Sequence, residues 1–156
     1  MEYIYNSPIG DLLVTYDDTH ILEMRFDREQ REEYKENAVI TQCIAQLDEY
    51  FAGTRTKFDI AIKPHGTDFQ QAVWAALCAI DCGETASYGQ IAAQIGRPKA
   101  ARAVGMANNK NPIYIIVPCH RVVGTDGKLV GYGGGLWRKE WLLKHETKNL
   151  HTFQEG

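Results

Sequence analysis

The sequence predicts a mixed α+β (α/β) protein in two parts. We expect a small N-terminal domain, residues 1–65, with a three-stranded antiparallel sheet and a helix. A mainly helical C-terminal domain, residues 66–156, follows it, with a helix-turn-helix at about 87–107. Two observations predict this division. Apolar residues alternate at period two before residue 27 and recur at helical spacing after residue 38. Beyond residue 65 the chain changes to short helices that open on capping boxes.

The composition is that of an ordinary globular protein. The chain has 156 residues, of which 44% are apolar and 24% charged, enough to build a core. It contains no run of about eighteen apolar residues that would predict a membrane span, and its first residues lack the basic and apolar regions of a signal peptide. We therefore expect a cytoplasmic protein that does not contact a membrane.

The four cysteines do not predict disulfides or a metal site. They are Cys43, Cys78, Cys82 and Cys119. A chain of this size with a good core does not need disulfides. Cys78 and Cys82 are spaced like half of a zinc site, but no second pair of soft ligands accompanies them. We expect reduced thiols, no metal and no cofactor.

The charge is divided unevenly along the chain. Residues 1–65 carry 7 Lys and Arg against 13 Asp and Glu, a net of −6, and residues 66–156 carry 10 against 7, a net of +3. The two values add to the formal charge of −3 for the whole chain. Such asymmetry is a hint of an acidic module joined to one that faces nucleic acid, and uneven surface charge explains it equally well.

The first third of the chain is typical of a meander followed by a helix. Alternating apolar residues predict strands near residues 3–5, 12–16 and 22–26, separated by turns at 7–10 and 17–18. Residues 27–37 are nearly all polar and indicate a solvated loop or frayed helix. Four apolar residues then recur at helical spacing, and Gly53 ends this helix. The apolar residues of this helix are Ile40, Ile44, Leu47 and Phe51. A short extended segment is then expected at 58–62.

Two capping boxes begin the helices of the second part. The first, at residues 67–70, opens a helix with Phe69, Val73, Ala76, Leu77 and Ile80 on one face. The second, at 87–90, opens a short helix that Gly96 ends, and Pro98 is then placed where a further helix begins. Two short helices joined by a turn with glycine form a helix-turn-helix candidate.

The second helix of this pair carries an outward stripe that suits a nucleic-acid groove. Lys99, Arg102 and Met106 are spaced i, i+3 and i+7, while the opposite face is small. A solvated helical face gives the same pattern, so DNA binding and plain solvent exposure both stay open at this point.

The segment with the clearest chemistry is Cys119-His120. A thiol beside an imidazole forms a nucleophile, because histidine accepts the proton near neutral pH. A free cysteine is more often a small core residue, so the pair alone leaves both interpretations open. Glu146 adds a third group, because it lies on the apolar face of a last helix that we expect from Leu136 to about residue 145 or 146. A carboxylate there needs a partner, either Lys139, solvent or an imidazole.

Two turn-rich segments surround this pair. Asn111-Pro112 precedes an apolar run at 113–117 that leads to Cys119, and Asp126-Gly127 marks a hairpin turn after it. The glycine-rich segment 131–135 follows. It has no phosphate-loop continuation, and its glycines let the backbone approach a ligand closely.

Six motifs in order carry a family resemblance over nearly the whole chain. They are QLDEYFAG at 46–53, GTDFQ at 66–70, SYGQIA at 87–92, KAARAVG at 99–105, PCHR at 118–121 and KEWLLKHE at 139–146. Together they resemble the O6-alkylguanine-DNA alkyltransferases, also called methylated-DNA–protein-cysteine methyltransferases. The resemblance implies a ribonuclease-H-like N-terminal domain and a C-terminal catalytic and DNA-binding domain.

The resemblance implies a stoichiometric DNA repair reaction. Cys119 is expected to take the alkyl group from guanine O6, and also from O4-alkylthymine, and to keep it as a thioether. His120 is expected to draw off the thiol proton through a water, and Glu146 to hold the imidazole. Tyr88 is expected to donate a proton or hydrogen bond to the departing guanine.

The same resemblance implies residues that contact DNA. Arg102 is expected to fill the space left by the flipped nucleotide, since O6 cannot be reached inside the stack. Asn111 is expected to fix the loop between the helix pair and the cysteine. Lys99, Ser87 and Arg121 complete the expected DNA-binding set. The partner is double-stranded DNA that contains O6-alkylguanine, and we expect a monomer.

A base pocket is implied on the other side of the cysteine. Backbone around Val122 and the glycine-rich segment are expected to form its walls, and Lys139 is expected to lie nearby with a less defined role. The pocket residues are Val122, Tyr132, Gly133, Gly134 and Lys139.

One position departs from the family pattern. Asp81-Cys82 replaces the usual proline and aromatic residue ahead of the helix pair, which leaves the reacting groups intact.

Three other classes of protein compete with the alkyltransferase. A non-catalytic lesion binder of the alkyltransferase-like type has another residue in place of the cysteine. A helix-turn-helix regulator with a structural Cys119 leaves the glutamate and the glycine segment unexplained. A cysteine hydrolase is disfavoured because the sequence indicates no oxyanion hole.

Overall fold

The computed structural model describes residues 1–27 and 34–155. The chain divides into two compact units. The first contains residues 1–65 and 112–114, and the second contains residues 66–111 and 115–156. The predicted mixed α+β class is confirmed. No helix within the described ranges is long and apolar enough to span a membrane.

The first unit is built on a three-stranded antiparallel sheet in the order β1-β2-β3. The central strand is the most buried, because neighbours cover both of its edges and Leu12, Val14 and Tyr16 face the core. The register shifts between Thr15 and Tyr16, a bulge that increases local twist. The strands are β1 (Glu2–Ser7), β2 (Gly10–Tyr16) and β3 (Ile21–Phe26).

Helix α1 (Ala38–Ala52) forms as the periodicity predicts. Asn37 caps its start by accepting from the amide of Ile40, and Gly53 ends it in the left-handed region at φ 83°. The extended segment predicted at 58–62 forms no regular strand among the described residues, but Ile62 pairs with Ile21 in an isolated parallel bridge. The amide of Ile21 donates to the carbonyl of Ala61 at 2.9 Å, and the amide of Lys63 donates to the carbonyl of Ile21 at 2.9 Å. Of the loop predicted at 27–37, residues 28–33 lie outside the described part of the chain.

A short segment from late in the sequence completes the first unit. The amide of Met24 donates to the carbonyl of Pro112 at 2.9 Å, and the amide of Tyr114 donates to the carbonyl of Met24 at 2.9 Å. The next residue, Ile115, has φ 72°, which is rare for a β-branched side chain and costs about 1–3 kcal/mol. The apolar run 113–117 is therefore a bridge and a turn, not a strand.

In the second unit, α2 (Asp68–Cys78) packs against α4 (Ala101–Asn109). The predicted capping box of Thr67 and Gln70 is present at the start of α2. Its Trp74 is 2% exposed and donates from Nε1 to the carbonyl of Ala107 at 2.9 Å. This bond ties the two helices together.

The short strand β4 (Ala86–Ser87) leads directly into α3 (Tyr88–Gln94), which opens on the second capping box. Helix α4 begins at Ala101, so the predicted start near residue 98 is wrong. Lys99 lies in the turn before α4, and the stripe of Lys99, Arg102 and Met106 is not continuous along one helix.

The end of the second unit carries the chemistry. A 3-10 turn (Cys119–Arg121) runs into β5 (Val122–Val123), which pairs parallel to β4. A tight turn closes after it, because the amide of Gly124 donates to the carbonyl of Lys128 at 2.9 Å. No strand follows that turn within the described residues, so the predicted hairpin is incomplete. Helix α5 (Leu136–Glu155) extends well past the end predicted from sequence.

Candidate active site

The 3-10 turn places three adjacent polar side chains inside the second unit. Cys119 is 3% exposed, His120 is fully buried and Arg121 is 6% exposed. Pro118 precedes the turn and β5 follows it, so both ends of this short segment are fixed. The turn therefore presents the thiol and the imidazole from a rigid backbone.

A carboxylate on α5 joins the imidazole and the guanidinium. Glu146 Oε2 lies 2.6 Å from His120 Nε2, and Arg121 donates from Nε to Oε1 at 2.8 Å and from Nη2 to Oε2 at 3.0 Å. Burial alone would raise the pKa of Glu146, but the charges and hydrogen bonds of His120 and Arg121 hold it well below its ordinary value. The carboxylate is thus ionised, which answers the question of its partner that the sequence left open.

The second ring nitrogen of His120 faces away from the carboxylate. His120 Nδ1 is buried and makes no hydrogen bond within the described part of the chain. An ionised carboxylate only accepts hydrogen bonds, so Nε2 carries the proton of the neutral ring and Nδ1 is the free acceptor. Nδ1 is therefore a buried proton acceptor on the residue that follows the cysteine in sequence.

The Cys119 thiol is protonated at rest. Burial raises its pKa to about 11, although a hydrogen bond from Asn111 and the charge of Lys139 favour the thiolate. A nucleophile in this environment needs its proton removed during the reaction. The raised pKa suits a thiol that a base deprotonates during the reaction, and not a standing thiolate.

Two asparagines fix the backbone around the cysteine. Asn111 donates from Nδ2 to the carbonyl of Val117 at 2.8 Å, and the wider role expected of it in the DNA-binding set stays a prediction. Asn108, at the end of α4, donates to the carbonyl of Cys119 at 3.5 Å and is 2% exposed. Sequence reasoning missed Asn108, although an asparagine within a helix is unfavourable enough to suggest a special partner.

Lys139 ties the glycine-rich segment to β5. Its fully buried ammonium donates to the carbonyls of Val122 at 2.5 Å, Val130 at 2.8 Å and Gly131 at 3.5 Å. Burial lowers its pKa to about 8, and the Cys119 thiol opposes that shift. The lysine therefore holds two of the predicted pocket walls together by their backbone.

Tyr88 faces the same region from the start of α3. Its hydroxyl donates to the carbonyl of Val130 at 3.4 Å. Burial and the Cys119 thiol raise the pKa of Tyr88, so the phenol keeps its proton near neutral pH. Ser87 accepts from the amide of Gln90 at 3.1 Å and so sets the helix start that positions Tyr88.

The remaining predicted residues divide between surface and pocket. Arg102 and Lys99 are exposed, as a DNA contact requires. Gly134 is buried and its carbonyl accepts from Arg138 at 2.7 Å, whereas Gly133 is exposed and Tyr132 is partly buried.

Arg121 requires a correction. It was expected to contact DNA, but it is buried, its Nε and Nη2 bind Glu146, and its Nη1 donates to the carbonyl of Ile80 at 2.6 Å. A guanidinium engaged on these sides is not available to a phosphate. The sequence did not distinguish these roles, because an arginine next to an active cysteine can either contact DNA or pair with a buried carboxylate.

Among the described residues, no group of three or more His, Cys, Asp or Glu is arranged to hold a metal ion.

The fold and the site define a mixed α+β protein with a buried cysteine–histidine–glutamate set beside a short helix pair. Comparison with known proteins shows the family to which the chain belongs. The model of the 6-O-methylguanine DNA methyltransferase ribonuclease-like domain matches residues 1–64, and that of the DNA binding domain of the same family matches residues 68–148. The chain belongs to the 6-O-methylguanine DNA methyltransferase family.

Individual relatives agree over almost the full length. The chain is 48% identical to the methylated-DNA–protein-cysteine methyltransferase of Methanosarcina mazei over 95% of this chain and 98% of that protein. The enzyme of the same name from Mycobacterium tuberculosis is 49% identical over 90% of this chain and 88% of its own length. The crystal structure of Mycobacterium tuberculosis OGT in complex with DNA has a TM-score of 0.86 and 49% identity, covering 94% of this chain and 92% of that one.

Proposed function

We propose that this protein repairs DNA by moving the alkyl group from O6-alkylguanine to Cys119. The names of its relatives support the reaction, and the DNA complex of the Mycobacterium tuberculosis protein supports the partner. The single observation that carries the assignment of residues is the buried thiol of Cys119 beside the His120–Glu146 pair.

The chemical step begins with loss of the thiol proton. Because the pKa of Cys119 is about 11, the proton leaves only as sulfur attacks, and His120 Nδ1 is the base that receives it through a water. Glu146 stabilises the imidazolium that forms. Sulfur makes a bond to the alkyl carbon while the bond from that carbon to O6 breaks. The electron pair of the broken bond passes to the guanine.

The departing guanine gains negative charge as the bond breaks. Tyr88, which is protonated near neutral pH, donates a hydrogen bond or proton to it. The product is a thioether, which has no easy leaving group, so each chain reacts once. The same geometry suits O4-alkylthymine, since the reacting oxygen is again an exocyclic ring substituent.

Delivery of the base is assigned to the helix pair α3–α4, which we propose is a helix-turn-helix. Arg102 on the exposed side of α4 fills the space of the flipped nucleotide, and Lys99 and Ser87 contact the backbone of the duplex. Val122, Tyr132, Gly133 and Gly134 enclose the flipped base, and Lys139 holds their segments together. The cytoplasmic location expected from the sequence stays a prediction. A DNA substrate supports that location.

A transfer assay with duplex DNA that contains O6-methylguanine tests this function. Cys119→Ser should abolish loss of the methyl group from DNA, because a hydroxyl in this site is a far weaker nucleophile. Cys43→Ala, a matched control in the core of the first unit, should keep the wild-type rate. Retention of activity by Cys119→Ser would overturn the assignment.

A further inference from the structure

Arg121 is held at both ends by partners from different elements. On one side its Nε and Nη2 groups, which form the fork of the guanidinium, donate hydrogen bonds to the two oxygens of Glu146 on α5, at 2.8 and 3.0 Å. On the other side Nη1 donates to the carbonyl of Ile80, just beyond the end of α2, at 2.6 Å. A bidentate contact fixes the plane of a carboxylate as well as its position.

The orientation of this carboxylate determines which ring nitrogen of His120 carries the proton. Glu146 Oε2 lies 2.6 Å from His120 Nε2 and accepts from the same arginine fork. With the carboxylate ionised and immobile, the neutral ring is restricted to the tautomer with its proton on Nε2. That tautomer leaves Nδ1 as the acceptor. Without the fork, a rotated or protonated carboxylate would permit the opposite tautomer.

We infer that Arg121 is a positioning residue for the transfer reaction: by clamping Glu146 it fixes the tautomer of His120 and so keeps Nδ1 ready to accept the Cys119 proton. The inference rests on the proposed roles of Cys119 and His120. It assigns to Arg121 a role inside the protein in place of a contact with DNA. It also explains why an arginine, and not a lysine, follows the histidine, since only a planar fork meets both oxygens.

Several titratable groups of the described residues lie close to this arginine. Glu146 faces it from α5, His120 and Cys119 share its 3-10 turn, and the thiols of Cys78 and Cys82 lie toward it from the end of α2 and the loop beyond. Burial raises the pKa of Cys82 to about 11 and raises the pKa of Cys78, so both thiols are neutral near pH 7. Glu146 is the group whose charge the guanidinium balances.

The first test separates chemistry from DNA binding in Arg121→Met and Arg121→Lys. Single-turnover transfer is measured against duplex concentration, which gives a maximal rate and an apparent Kd. A positioning role predicts a maximal rate about 10- to 100-fold lower in Arg121→Met, as for other groups that orient a histidine, with an unchanged Kd. Arg121→Lys should recover part of the rate, because it restores the charge without the fork. Arg25→Met, an exposed arginine of the first unit, is the matched control and should behave as wild type.

The pH dependence of the maximal rate adds a readout that a purely structural role would not move. The profile of Arg121→Met should differ in shape from that of the wild type, because Glu146 loses the guanidinium that holds it ionised. The profile of Arg121→Lys should return toward wild type, because lysine restores a positive charge beside that carboxylate. A raised Kd with an unchanged maximal rate would instead make Arg121 a DNA contact and overturn the inference.

Nitrogen-15 NMR of the histidine ring tests the inference without using the reaction. The wild-type protein should show His120 with its proton on Nε2, and Arg121→Met should show a mixture of the two tautomers. An unchanged Nε2 tautomer in Arg121→Met contradicts the inference even if transfer proceeds as proposed. Absence of transfer in the wild type, with the tautomer shift present, would contradict only the proposed reaction. If Arg121→Met does not fold, Arg121→Lys still carries the test, since a wild-type rate in that variant refutes the need for a fork.

Discussion

The buried carboxylate of Glu146 is the residue on which the site depends most. Taking a carboxylate out of water is costly, and a single hydrogen bond to an imidazole does not offset that cost. The guanidinium of Arg121 balances the negative charge of the carboxylate and donates hydrogen bonds to both of its oxygens. The result is a fixed acceptor for His120, which a solvated glutamate at the same distance would not provide.

Acid should weaken this arrangement in a predictable window. The pKa of Glu146 is held below its ordinary value of 4.5, so its stabilising contribution is complete above about pH 4.5 and is lost as the pH falls through the folded value. Glu146→Gln should cost about 3–5 kcal/mol at pH 7, since it leaves the Arg121 charge unpaired. Unfolding by denaturant at pH 7 and pH 3 measures both proteins. The difference between them should shrink at pH 3, and a constant difference would show that Glu146 is not ionised in the folded state.

Sequence reasoning reached these residues unequally. The residue pattern marked Cys119, His120 and Glu146 as candidates, but their roles came from the family resemblance, because a free cysteine is more often a small core residue. The partner of Glu146 was left open, because spacing along a chain does not show which of several cations meets it. Arg121 and Asn108 depend on contacts with residues far away in sequence, and these exist only in the folded chain.

At the level of elements, the contact between α2 and α4 positions the proposed recognition helix. Trp74 carries this contact, since its ring is buried and its Nε1 binds the carbonyl of Ala107. Gly66 lies against that ring: a Cβ there would come within 2.6 Å of Trp74 Cζ3 and 2.7 Å of Gln70 Oε1. The glycine is thus required by packing and by the capping box, not by a special backbone angle.

Gly66→Ala should therefore destabilise the protein by about 1–3 kcal/mol, because the tryptophan ring has to shift. Gly89→Ala is the control, since a Cβ at that position in α3 meets only Ser87 Oγ at 3.9 Å. The control should gain about 0.5–1 kcal/mol from the better helix propensity of alanine. Denaturant unfolding measures both variants, and equal effects of the two substitutions would exclude the predicted clash.

The exposed face of α4 carries a prediction about DNA. Arg102 is solvent-exposed whereas the thiol–imidazole pair is buried, so Arg102 should act on the duplex and not on the chemistry. Arg102→Ala should reduce repair of O6-methylguanine in duplex DNA by more than it reduces reaction with the free base. Transfer rates on the two substrates measure this. Equal losses on both would mean that Arg102 does not act by flipping the nucleotide.

Elements were predicted better by type than by boundary. The two capping boxes fixed the starts of α2 and α3 correctly, because their residues bond locally. Helix α4 has no side-chain cap, and its start was placed too early at the proline. The short extended segment predicted at 58–62 is present in the described residues as an isolated bridge between Ile62 and Ile21.

For the whole molecule, the sequence was enough for the fold class but not for the path of the chain. Residues 112–114 belong to the first unit although they lie between segments of the second. Nothing local predicts this, because the bonds that Pro112 and Tyr114 make to Met24 join residues far apart in sequence. The left-handed Ile115 follows directly, where the chain returns to the second unit.

In the proposed reaction Cys119 takes the alkyl group and is consumed. The most direct measurement mixes the protein with an excess of duplex containing O6-methylguanine and follows both the amount and the position of the transferred methyl group by mass spectrometry. We expect one methyl group per chain, located on Cys119, after which the reaction stops. Continued turnover, or a methyl group on any of the other three cysteines, would contradict it.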